Sequence, residues 1–94
     1  MTEQIYRIFE TNEYGKRVLK FSKRESIFIQ TKLARYVYPQ LKIEPRFGKN
    51  IKKLVGYKPE TWRYRIGKYR LFYSIDDQAK IVFILTVEFR KDAY

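Results

Sequence analysis

Apolar residues recur at every second position on both sides of a Gly67-Lys68 pair in the stretch Trp62-Arg63-Tyr64-Arg65-Ile66-Gly67-Lys68-Tyr69-Arg70-Leu71-Phe72-Tyr73. Period-two alternation broken by a glycine-containing dipeptide predicts a β-hairpin, and glycine in first place suits a type II′ turn. With that turn, Ile66 faces Tyr69, Arg65 faces Arg70, Tyr64 faces Leu71 and Arg63 faces Phe72. Trp62, Tyr64, Ile66, Tyr69, Leu71 and Tyr73 then share one face, which is the core side. Arg63, Arg65 and Arg70 share the other.

The remaining elements arrange themselves around this hairpin. Residues 4–11 alternate Ile5, Arg7 and Phe9 with Tyr6, Ile8 and Glu10 and predict a strand. Thr11 or Asn12 can cap a short helix reaching about Lys20, with Tyr14, Val18 and Phe21 as its apolar stripe. Ser22 followed by Glu25 is a capping box. It opens a second helix with Ile29, Leu33, Tyr36 and Val37 inward, and Pro39 is expected to stop it. Leu41 and Ile43 are expected to pack under its exit. Residues 44–60 contain Pro45, Gly48, Gly56 and Pro59 and read as a loop with one helical turn near 51–54.

Residues 76–79 read as a turn, and residues 81–87 are apolar except for Thr86, as in a strand covered on both faces. A three-residue connection, 77–79, pairs Arg70 with Thr86 and Leu71 with Leu85. It places Ile81, Phe83, Leu85 and Val87 in the core and Thr86, Glu88 and Arg90 beside the arginines. A two-residue connection flips that parity; the longer one is preferred because it keeps Glu88 and Arg90 out of the core. The expected fold is a small single α+β domain over residues 1–94, ordered strand-helix-helix-strand-strand-strand. Its four-stranded, largely antiparallel sheet carries an αα-hairpin on one face.

Composition then narrows the chemistry. The chain has 94 residues, a formal charge of +11 and 18% aromatic residues interleaved with the basic ones. An acidic partner is implied, with nucleic acid first in line. Between 46 and 70, nine lysines and arginines stand against Glu60 alone. There is no cysteine and no histidine, so thiolate nucleophiles, the commonest general base and the usual zinc ligands are missing, and no metal or cofactor is expected. No apolar run approaches the roughly 20 residues of a membrane span, and the N-terminus lacks a signal segment. The protein is expected in the cytoplasm and away from membranes.

The arginine face is costly as structure, because like charges directly opposite destabilise a sheet. Solvated arginines are the ordinary explanation for any one of them. Three converging on one patch favour a phosphate ligand, which paired guanidinium groups match. The charged loop supplies Arg46, Lys49, Lys52 and Lys53, and the turn supplies Lys68; they are expected to steer phosphate, or else to be a solvated connector.

Three stretches closely resemble the RelE/ParE superfamily of toxins: Pro45 to Leu54 (Pro-Arg-Phe-Gly-Lys-Asn-Ile-Lys-Lys-Leu), the hairpin with its Gly-x-Tyr-Arg-Leu-x-Tyr run, and the terminal Arg90-Lys91-Asp92-Ala93-Tyr94. The likeness spans nearly the whole chain. It implies the toxin of a type II toxin–antitoxin pair, held by a cognate antitoxin in a hetero-oligomer. In the RelE branch it implies cleavage of messenger RNA in the ribosomal A site, the 2′-hydroxyl attacking the neighbouring phosphate. Carried onto this chain, the catalytic positions are Arg65, Arg70, Arg90 and Tyr94, with Arg63 and Glu88 as further catalytic or RNA-binding candidates. Arginine cannot act as the base. Tyr94 in a dense positive field is a better base than an ordinary tyrosine, and Glu88 either competes for that role or neutralises Arg90. Two alternatives stand beside this reading: a ParE-like inhibitor of DNA gyrase without nuclease chemistry, and a non-catalytic RNA-binding relative.

Overall fold

The computed structural model describes residues 5–90. Its elements are β1 (Arg7–Glu10), α1 (Asn12–Leu19), α2 (Lys23–Lys32), a π-helical segment (Leu33–Val37), α3 (Tyr38–Ile43), β2 (Ile51–Lys53), β3 (Trp62–Ile66), β4 (Tyr69–Asp76) and β5 (Ile81–Phe89). They build an α+β fold in which one mixed sheet, ordered β1-β5-β4-β3-β2, carries the helices on one face. β1 runs parallel to β5, and every other neighbouring pair is antiparallel.

The hairpin forms in the expected register, from Trp62 opposite Tyr73 to Ile66 opposite Tyr69. Gly67 takes φ +58°, and Lys68 keeps a negative φ, as a type II′ turn requires. All six alternate residues of the inner face are buried. Their tyrosines also reach into the helical layer. Tyr73 donates to the Pro45 carbonyl at 2.7 Å, Tyr64 to Gln40 Oε1 at 2.7 Å, and Tyr69 to Glu25 at 3.3 Å. Glu25 is held in turn by the capping box, in which Ser22 accepts from its backbone N–H and donates its own to the carboxylate.

Four features depart from the sequence reading. A fifth strand, β2, lies on the sheet edge where a loop with a helical turn was expected, pairing Lys52 with Arg63. Its three residues are too few to show a period. Second, Pro39 does not stop the helix. The π segment widens the backbone just before it, with the Tyr38 N–H reaching back five residues to the Leu33 carbonyl, and the helix continues as α3 to Ile43. That extra residue per turn keeps Leu33, Val37 and Leu41 inward but rotates Tyr36 outward to 57% exposure. Ile43, expected under the exit, is 39% exposed.

The third and fourth departures are linked. The connection between β4 and β5 has four residues, 77–80, with Lys80 at φ 57°. The register therefore starts with Val82 and Ile84 in the core rather than Ile81, Phe83 and Leu85. A bulge at Leu85 then restores the parity, so Val87 is buried as expected and Arg70 pairs with Glu88 instead of Thr86. β1 ends where the bulge begins. Beyond it, Thr11 donates to the Ile84 carbonyl at 2.7 Å and Arg17 donates to the Val87 carbonyl at 3.1 Å, so the start of α1 covers the edge that β1 leaves open.

Candidate nucleic-acid interface

Residues directly opposite on neighbouring strands share a face, so the register builds the outer surface of the sheet rung by rung. One rung is Lys52–Arg63–Phe72–Thr86, and the next is Arg65–Arg70–Glu88. Arg90 follows just past β5, where its backbone N–H bonds the Lys68 carbonyl and fixes it beside the hairpin turn. The structure thus brings Arg63, Arg65, Arg70 and Arg90 onto one patch, as the sequence pattern implied.

The cluster is electrostatically strained around Arg63. Burial lowers the pKa of its guanidinium first, and repulsion from Arg65, Arg70 and Arg90 lowers it further. Its Nε is buried without a hydrogen-bond acceptor among the described residues. A buried donor left unpaired costs about 1–3 kcal/mol. An anion placed on this rung would relieve the repulsion among the guanidinium groups.

Glu88 stands across from Arg70 and lines an open groove of about 320 Å³ together with Glu13, Lys16 and Arg17 of α1 and Lys20 just after it. The carboxylate therefore lies between two sets of cations. Lys52 is exposed at the end of its rung, Lys49 is exposed ahead of β2, and Lys68 is exposed in the turn.

Two steering candidates are committed elsewhere. Arg46 forms an ion pair with Asp77 at 2.5 Å and donates to Tyr6 Oη at 3.4 Å, just past the end of β4 opposite to Arg70. These bonds raise the Arg46 pKa and hold the Asp77 carboxyl below the ordinary carboxylate range. Lys53 pairs with Glu60 at 2.9 Å. Tyr94 lies outside the described residues. Phe72, opposite Arg63, shares this face with the arginines, as its parity in the sequence already implied.

With this geometry in place, the comparisons with known proteins decide the family. The model of the family described as ParE toxin of type II toxin–antitoxin system, parDE, matches residues 29–94. The chain belongs to this family. The toxin is also similar in structure to the RelBE2 toxin–antitoxin complex of Mycobacterium tuberculosis, with 29% identity, TM-score 0.68, and 90% of this chain and 98% of that one covered. It is similar to the archaeal RelE–RelB complex of Pyrococcus horikoshii, with 25% identity, TM-score 0.56, and 95% and 99% covered. The isolated E. coli RelE toxin shares the fold at 22% identity and TM-score 0.64, with 94% and 87% covered. No curated protein matches the chain. The toxin is a member of the RelE/ParE superfamily, and no helix among its described residues is long and apolar enough to cross a membrane.

Proposed function

We propose that the toxin is a ribosome-dependent endoribonuclease that cuts messenger RNA in the A site. The observation that carries this reading is the four-arginine patch with the orphaned Arg63 Nε at its centre. In the proposed reaction the 2′-oxygen forms a bond to the adjacent phosphorus and the P–O5′ bond breaks, leaving a 2′,3′-cyclic phosphate and a 5′-hydroxyl. Arg65 and Arg70 hold the phosphate oxygens as charge moves onto them, and one preorganised donor of this kind contributes about 3 kcal/mol. Arg90 stabilises the departing 5′-oxygen until it is protonated. For the base that takes the 2′-proton the chain offers Tyr94 and Glu88, since arginine keeps its proton. Lys49, Lys52 and Lys68 surround the patch and steer RNA to it. Arg46 and Lys53 contribute less to that steering field because each has a carboxylate partner that offsets its charge.

The partner we propose is an antitoxin whose acidic or neutral segment covers the basic face, since the similar M. tuberculosis and P. horikoshii structures are toxin–antitoxin complexes. A second reading, inhibition of DNA gyrase without cleavage, is favoured by the match to the ParE model. One experiment separates the two. Wild type and the Arg70→Ala/Arg90→Ala variant are induced without antitoxin, and messenger RNA 5′-ends are mapped. New 5′-hydroxyl ends within translated codons, produced by wild type alone, are expected. Growth arrest without such ends would move the assignment to gyrase.

A further inference from the structure

The face that carries the arginines continues beyond them. After Arg70 the outward residues of β4 are Phe72 and Ser74; Phe83 of β5 lies opposite Ser74, and Phe9 of β1 lies opposite Phe83. Diagonal neighbours on adjacent strands are about 7–8 Å apart, within reach of aromatic rings. Phe72, Phe83 and Phe9 therefore form a stripe from the arginines to the far side of the sheet. None of the three belongs to the buried core or to the residues packed against it. Phe9 is 54% exposed, and its ring meets Phe83 edge-on with centroids 5.6 Å apart. Phe72 and Phe83 are only half-buried and Phe9 is exposed, so each keeps part of its ring open on the outer face.

The near end of the stripe is distinctive. Phe72 stands directly beside Arg63 and, through it, Lys52. An apolar peptide side chain on Phe72 would leave the repulsion among the neighbouring guanidinium groups unrelieved. A nucleotide meets both needs, with its base on the ring and its phosphate on the arginine. We propose that Phe72, with Phe83 and Phe9 beyond it, is a base-stacking platform that positions single-stranded RNA across the outer sheet face. The inference rests on the ribonuclease reading and names the residues that set the register of the RNA on it.

The test titrates the purified toxin with a 2′-O-methylated RNA octamer, which cannot undergo 2′-attack, carrying one 2-aminopurine at successive positions. Phe72→Leu keeps bulk and removes the ring's π face, whereas Phe72→Tyr keeps both. Phe72→Leu is expected to weaken binding about tenfold and to abolish fluorescence quenching at one position. Phe72→Tyr should retain both, and neither change should alter the dependence on salt. Arg70→Ala should instead lower the salt slope by about one. Wild-type affinity and quenching in Phe72→Leu would overturn the platform, as would equal losses in the Leu and Tyr variants. Stripe substitutions that affect only capture of an acidic antitoxin segment would also overturn it. Absence of any Arg70-dependent binding by wild type removes the RNA face and the platform together. The 5′-end map judges cleavage independently of all these outcomes.

Discussion

Arg65 and Arg70 face each other across two strands, and each also repels Arg63. Such an arrangement lowers the stability of the free toxin, and Arg65→Thr should raise it by about 0.2–1 kcal/mol, since a β-branched neutral residue replaces one of two opposed charges. Thermal melting at low and high salt checks this. The gain should shrink as salt screens the cluster, and the same variant should lose the new 5′-hydroxyl ends in cells. The arginines were legible in the sequence because a strand's faces are assigned by parity alone. Arg46 was not, because its role is decided by Asp77, 31 positions away.

At the scale of elements, the hairpin turn sets which residues meet on the outer face. Gly67 occupies a left-handed conformation with open space around its Cα, so adding a methyl group meets no atom but strains the backbone. Gly67→Ala should cost about 1 kcal/mol and lower the melting temperature by about 4–8 °C, measured by circular dichroism. The capping box and the hairpin were both legible, each being written in residues no more than a few positions apart. The continuation of the helix past Pro39 was not. A proline ends a regular α-helix, and only the π segment ahead of it, which no local signal announces, lets the chain run on to Ile43. β2 escaped for a different reason, since three residues acquire strand character only from their partner β3.

Across the whole molecule, the core buries, among the described residues, five tyrosines beside ten aliphatic residues. Burial pushes Tyr14 up to about 12 and raises Tyr38 and Tyr73 as well, with hydrogen bonding to the Glu10 carboxylate adding to the effect at Tyr38. The neutral phenol is therefore favoured in the folded state. The stability it contributes is complete below pH 10, where unfolded tyrosine is also neutral, and is lost as pH rises through the folded values. The toxin should unfold cooperatively in the alkaline range, tyrosinate absorbance and loss of secondary structure rising together; tyrosinate appearing well before unfolding would contradict this. The sequence by itself determined the hairpin, its two faces, the arginine patch and the helix start at Ser22, because these follow from periods and caps within a single segment. Tertiary structure alone decided the fifth strand, the parallel pairing of β1 with β5, the bulge at Leu85 and the placement of Glu88 opposite Arg70. Those depend on how separate segments satisfy one another's backbone groups, up to the 73 positions between Thr11 and the Ile84 carbonyl it donates to, and no single segment carries that information.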